Sequence, residues 1–251
     1  MEERITLGKK KREELPEKRK FSRRTVLSFF IVLIAIPFTI WFGWRYGDRN
    51  FYIVSLLIII YTMIPFFLVF EKRRPQAREL VILAVMCGIA VASRAVFIWL
   101  PHFKPMTAVI IITGIAFGAE AGFLTGAVSG FVSNFIFGQG AWTSWQMFAF
   151  GMAGFLAGLF YQKGLLRREK LPLCVFGGVV TMCVVGPLLD TCALFTMSSV
   201  ITPESAAAIY LSGLPVNAVH TSATVLTLLL VSKPMFEKLD RVKRKYGMLE
   251  A

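Results

Sequence analysis

Hydrophobic positions in this chain fall in long, nearly unbroken blocks rather than in the one-sided stripe of a helix that faces water. The blocks lie at about 25–44, 51–70, 79–100, 106–118, 120–137, 145–162, 172–197 and 209–231. Most are long enough to carry a helix through a hydrocarbon layer about 30 Å thick. The pattern predicts eight membrane helices and an all-α polytopic membrane protein. Its expected layout is a basic arm over 1–24, two N-terminal membrane helices over 25–70, a six-helix core over 79–232 and a basic tail over 233–251. The fourth and fifth blocks are short and meet near Gly118–Glu120 with almost no loop between them.

Two helix faces carry small residues at a spacing of four, which stacks them along one side. Gly122, Gly126 and Gly130 form one stripe, and Ala84, Gly88 and Ala92 form the other. Glycine costs about 1 kcal/mol per residue relative to alanine in a helix interior. In lipid, however, it lets a second backbone approach closely. The glycine stripe therefore predicts a tight helix–helix seam. The alanine-rich stripe predicts either internal packing or a docking face for another protein.

Charge fixes an orientation. The chain has 28 Lys and Arg against 15 Asp and Glu, a net charge of +13, with 56% hydrophobic residues. Ten basic residues lie in the arm, four in 71–79, four in 163–170 and six in the tail, which are alternate connections. Arg45, Arg49 and Lys104 fall on the other side, and Arg94 lies within a block. By the positive-inside rule both termini are expected in the cytoplasm. The basic charge is thus a topology signal and not a nucleic-acid surface. No small-residue cleavage site closes the first apolar block, so the arm reads as a retained segment lying against anionic headgroups.

Polar side chains inside the blocks carry the functional signal, because each is costly there. Arg94 and Asp190 lie roughly 9–10 Å below the expected outer surface at a rise of about 1.5 Å per residue. Asn134 and Gln146 lie near the outer ends of their helices, and Asn217 and His220 in the outer half of the last. Their agreement in depth predicts a polar cavity opening outward. Gln139, Trp142 and Trp145 crowd the adjoining turn and fit either an interfacial aromatic belt or the lip of that cavity. Arg94 and Asp190 are expected to close the floor as a pair. Gly186-Pro187 predicts a kink, since Pro187 cannot donate to the carbonyl of Cys183.

Catalytic and cofactor motifs do not appear. The sequence has no GxxxxGK[ST], HExxH or GxSxG string. Its four cysteines lie in apolar blocks with no metal-ligand spacing. No catalytic residue, metal site or cofactor is assigned, and a single His220 does not make a metal centre.

From Glu79 to Lys233 the chain resembles the substrate-binding S components of energy-coupling factor (ECF) transporters, six-helix bacterial membrane proteins that capture vitamins. The resemblance implies location in the bacterial cell membrane. It also implies partnership with a coupling (T) membrane subunit and two ATPase subunits. Ala84, Gly88 and Ala92 would then meet the coupling subunit. The string FGQGAWTSWQMFAFG resembles a branch associated with cobalamin. That likeness implies a ligand walled by Trp142 and Trp145 and hydrogen-bonded by Asn134, Gln139 and Gln146, with Asn217 and His220 deeper. The two extra helices over 25–70 depart from the family's usual six. The alternatives are an S component for another micronutrient, an integral-membrane enzyme acting on a lipid or isoprenoid, and a purely structural membrane protein.

Overall fold

The computed structural model describes residues 77–140, 142–198 and 201–247, with isolated positions 34, 37–39, 41 and 57. The arm over 1–24, nearly all of the stretch over 25–70 and the last four residues of the tail lie outside the described residues. The elements in order are α1 (Ala77–Val96), α2 (Met106–Phe117), α3 (Ala119–Phe137), α4 (Trp142–Gln162), α5 (Lys170–Val180), α6 (Gly186–Met197) and α7 (Pro203–Lys245). A π-helical turn, Thr181–Val185, joins α5 to α6 as one rod. Six rods therefore stand where six core helices were expected.

The short, uncharged α2 is the centre of the assembly, and every one of its residues is buried. At about 18 Å it falls short of a hydrocarbon layer. It can be this apolar because α1, α3, α4 and α7 surround it and α5 touches it. Among the described residues three helical stretches are long and apolar enough to cross a membrane: Ala77–Val96, Lys170–Met197 and Pro203–Lys245. Gly118, at φ 100°, is the whole connection between α2 and α3. Only glycine adopts that backbone readily.

The glycine stripe of α3 forms the expected seam, and its partner is α4. A Cβ on Gly122 would run into the carbonyl of Gly154, and one on Gly126 would lie 2.6 Å from the Gly151 nitrogen. The exclusion of side chains here brings the two backbones into contact.

Around Gly186-Pro187 the expected kink takes the form of the π turn. The Gly186 N–H donates to Thr181 O, five residues back, and Pro187 starts α6 where no donor is needed. At the other end of the chain the boundary differs from the one expected. The sequence predicts the last span over about 209–231 with a separate tail, whereas α7 starts at Pro203 and continues to Lys245. Its start is fixed by a capping box between Thr202 and Ser205. Its end is held by tertiary contacts: Phe236 and Leu239 are buried, and Arg168 contacts both oxygens of Asp240 at 3.2 Å. Lys243 Nζ donates to the carbonyl of Ala116, and Arg78 to that of Tyr246 at 3.2 Å.

Contacts of Arg78 with Tyr246, Arg168 with Asp240 and Lys243 with Ala116 bring one set of helix ends together. The contact of Arg94 with Asn134 and the cavity lining bring the other set together, so the connections gather at two poles. One pole holds the start of α1, Gly118, the α4–α5 connection and the end of α7. It carries Lys163, Arg167, Arg168 and Lys170, together with Lys238, Arg241, Arg244 and Lys245. The opposite pole holds residues 97–105, the α3–α4 turn and residues 198–202.

Candidate functional site

At the pole opposite the basic connections, α1, α4, α6 and α7 leave a cavity of about 560 Å³. Phe150, Leu189, Met197, Ile209 and Val216 give it apolar walls. Arg94, His102, Lys104, Gln146, Asp190, Ser212, Asn217 and His220 supply its polar groups. Apolar walls with convergent polar groups are the usual build of a small-molecule site, and here polar side chains make up about half of the lining.

Arg94 reaches the cavity from the last turn of α1 and is only 3% exposed. Its Nη1 donates to Ser133 Oγ and, at 3.0 Å, to Asn134 Oδ1. The guanidinium lies 4.3 Å from the ring centre of Phe137. Its buried Nε has no hydrogen-bond partner among the described residues. Lys104, in the connection between α1 and α2, lies 5.7 Å from the same ring. Burial, reinforced by the nearby Arg94 charge, brings the Lys104 ammonium down to about 8. His102 lies in the same connection, in a left-handed backbone conformation at φ 60°.

The opposite wall is built on α6 and α7. Asn217 Nδ2 donates to Asp190 Oδ2 at 2.7 Å. This approach depends on Gly213, since a Cβ there would lie 2.6 Å from Asp190 Cγ. The expected Arg94–Asp190 pair is not formed. Arg94 is taken up by neutral partners on α3, and Asp190 by Asn217 on α7. Deeper in, His220 Nε2 lies 3.4 Å from Thr107 Oγ1, and its ring meets Phe150 edge-on at 6.0 Å. Gln146 presents a buried Oε1 that has no partner.

Five of the nine expected ligand residues thus share the cavity: Arg94, Gln146, Asp190, Asn217 and His220. The other four do not line it. Asn134 stands behind Arg94 and donates to Thr143 Oγ1 at 3.1 Å. Thr143 Oγ1 donates to Gln139 Oε1 at 2.9 Å, and Gln139 Nε2 to the Phe131 carbonyl at 3.1 Å. Trp142 bonds the Gly138 carbonyl at 3.3 Å with 44% of its surface exposed. Trp145 is buried and stacks on Phe195 with ring centres 6.0 Å apart. These groups spend their polar atoms closing the α3–α4 turn. Sequence reasoning missed His102 and Lys104, because two basic residues in a short connection look like ordinary surface. Their nearness to Arg94, itself near the end of its helix, was the available signal.

Ala84, Gly88 and Ala92 are exposed on the outer side of α1, and nothing lies within 4 Å of a Cβ built on Gly88. Among the described residues the stripe does no internal packing. No group of three or more His, Cys, Asp or Glu able to hold a metal ion occurs among the described residues.

Comparison with known proteins bears on what such a cavity serves. A UPF0397 protein of Vibrio atlanticus (strain LGP32) is 32% identical over 85 residues, which is 33% of this chain and 46% of that protein. The match thus spans about half the length of that relative. No solved structure matches the chain. The family model for the S component of ECF-type riboflavin transporters matches residues 75–235. It spans every residue that lines the cavity, and its description names riboflavin, so the expected cobalamin branch finds no support. It describes a transporter subunit and not an enzyme. The chain belongs to the ECF transporter S-component family, in the branch described as riboflavin-type.

Proposed function

We propose that this protein is the substrate-capturing membrane subunit of an ECF-type, ATP-driven importer, and that its cavity takes a vitamin-class micronutrient from outside the cell. The observation that carries this reading is the cavity at the pole opposite the basic connections. Under the positive-inside rule that pole faces outward, with the end of α7 in the cytoplasm. The volume of about 560 Å³ falls in the range of sites for drug-sized ligands. A flavin is of that size, whereas cobalamin, with its corrin ring and nucleotide loop, is far larger. A flavin is therefore the first candidate.

Energy for import would come from a coupling membrane subunit and two ATPase subunits, since the chain has no nucleotide-binding loop of its own. The exposed Ala84–Gly88–Ala92 stripe is the docking face in this reading. A small-residue face with no partner among the described residues suits close approach of a foreign helix.

The test is expression with the candidate coupling and ATPase subunits, followed by affinity purification on this chain and mass spectrometry of proteins and retained small molecules. Recovery of the ATPase subunits with a bound micronutrient is expected. Purification alone, with ATP-independent behaviour and no retained ligand, would sink the proposal.

A further inference from the structure

The cavity is electrostatically lopsided. Arg94, His102 and Lys104 converge on it from the end of α1 and the connection that follows. Asp190 is the one carboxylate in its lining, and it is held by Asn217 on the far side. No ion pair joins Asp190 to any of the three basic side chains among the described residues. Arg94 is the telling case. It is 97% buried by its 3% exposure, its partners Ser133, Asn134 and Phe137 carry no charge, and its Nε–H has no acceptor.

A buried guanidinium with one idle donor is costly unless something completes it. Neutral hydroxyl and amide groups hold Arg94 in place without cancelling its charge. A planar guanidinium in the cavity lining, held by neutral partners, with an ammonium and an imidazole lining the same space, is the arrangement that binds carboxylate or phosphate. Lys104 adds a mobile point charge, and His102 a ring donor.

We propose that Arg94, His102 and Lys104 form an anion-binding subsite, and that the captured micronutrient carries a carboxylate or phosphate group seated there. This rests on the reading of the cavity as a substrate site. It goes further by specifying the charge of the substrate: for a flavin, the phosphorylated form is preferred over riboflavin.

The experiment uses the full-length chain in phosphatidylcholine nanodiscs, with riboflavin, flavin mononucleotide and inorganic phosphate as probes. Flavin binding is followed by fluorescence quenching. Thermal unfolding is compared in phosphate and in chloride at equal ionic strength. Flavin mononucleotide should bind about tenfold or more tightly than riboflavin, and phosphate alone should raise the melting temperature by several degrees. Lys104→Gln should remove most of the phosphate stabilisation and most of the preference for flavin mononucleotide over riboflavin, and retention of both would overturn the subsite. Arg94→Gln should do the same if it folds, and Lys104→Gln, which breaks no hydrogen bond of the fold, decides the matter if it does not.

Stabilisation by phosphate with no binding of either flavin would keep the anion subsite and remove the flavin. Equal affinity for the two flavins, with no phosphate effect, would overturn the subsite and leave the transport reading intact. An anionic lipid headgroup is the competing occupant. Stabilisation by phosphatidylglycerol in the nanodisc that soluble phosphate cannot reproduce would overturn the assignment to a micronutrient.

Discussion

Asn217 and Asp190 tie α7 to α6 through one hydrogen bond of 2.7 Å, made where Gly213 clears the space for a carboxylate. The bond does two things at once. It supplies a donor to an acid that burial would otherwise strand, and it fixes one wall of the cavity. Asn217→Leu should therefore destabilise the protein by about 2–3 kcal/mol, the cost of leaving a buried charged acceptor without its donor. Thermal unfolding in detergent reads this directly. Unchanged melting would mean that Asp190 draws its stabilisation from elsewhere.

The two small-residue stripes should separate cleanly under substitution. Gly122→Val places a side chain where the Gly154 carbonyl stands, and no monodisperse protein is expected by size-exclusion chromatography. Gly88→Leu points into open space, so melting and ligand binding should match the wild type. If the stripe is the docking face, that same variant loses co-purification with the coupling subunit. Normal assembly by Gly88→Leu would move the docking face off α1.

The two tryptophans of the α3–α4 region should also behave differently from each other. Trp145 is 3% exposed and stacked on Phe195, so Trp145→Ala should cost about 3–5 kcal/mol. Trp142 is largely open, and Trp142→Ala should stay within about 1 kcal/mol. Among molecules that remain folded, neither change should alter ligand affinity more than about twofold. Selective loss of binding in Trp142→Ala would restore that residue to the ligand site.

Proton linkage at Lys104 gives a test with a defined sign. Burial and the Arg94 charge hold its ammonium near 8, below the ordinary lysine value of about 10.4. The folded chain thus releases this proton at lower pH than the unfolded one. Below pH 8 the charged lysine penalises the fold in full, and the penalty fades between about pH 8 and 10. Ligand-free stability should rise across that window. Affinity for an anion should fall across it, since the charge that attracts the anion is being lost. Arg94, His102, Asp190 and His220 share the cavity, so the control is Lys104→Gln, in which both trends should flatten. Persistence of either trend in that variant would assign the titration to another group.

Much of this was legible in the chain because lipid leaves few choices. Long apolar blocks must be helices, and an arginine, an aspartate, an asparagine and a histidine at one depth must share a polar space. Arg94, Asp190, Asn217 and His220 were found that way. What the sequence did not carry was pairing. Depth is a one-dimensional property, and it placed Arg94 level with Asp190. The angular position about each helix axis sends Arg94 to Ser133 and Asn134 instead. The string from Phe137 to Gly151 divides for a related reason. Amides and indoles suit a ligand, but they equally suit a turn with carbonyls to satisfy: Gln139 and Trp142 bond locally to Phe131, Thr143 and Gly138, while Gln146 lines the cavity.

The π turn between α5 and α6 works as a rotary offset. Each residue of a regular helix advances about 100°, so one surplus residue turns everything beyond it by that angle. Continued regularly from Leu173 and Gly177, the inward face would pass through Val184, Leu188 and Thr191. The surplus residue carries that face on to Val185, Leu189 and Cys192, of which Val185 and Cys192 are buried and Leu189 packs against the core, and it sets Asp190 beside them, facing Asn217. Removing a single residue from Thr181–Val185 would relax the segment to an ordinary helix and swing Asp190 away from Asn217, with every side chain of the wall still present in the chain. The acid's aim is therefore encoded by a count of residues eight or so positions upstream, and a shortening there would disarm the site as surely as replacing Asp190 itself.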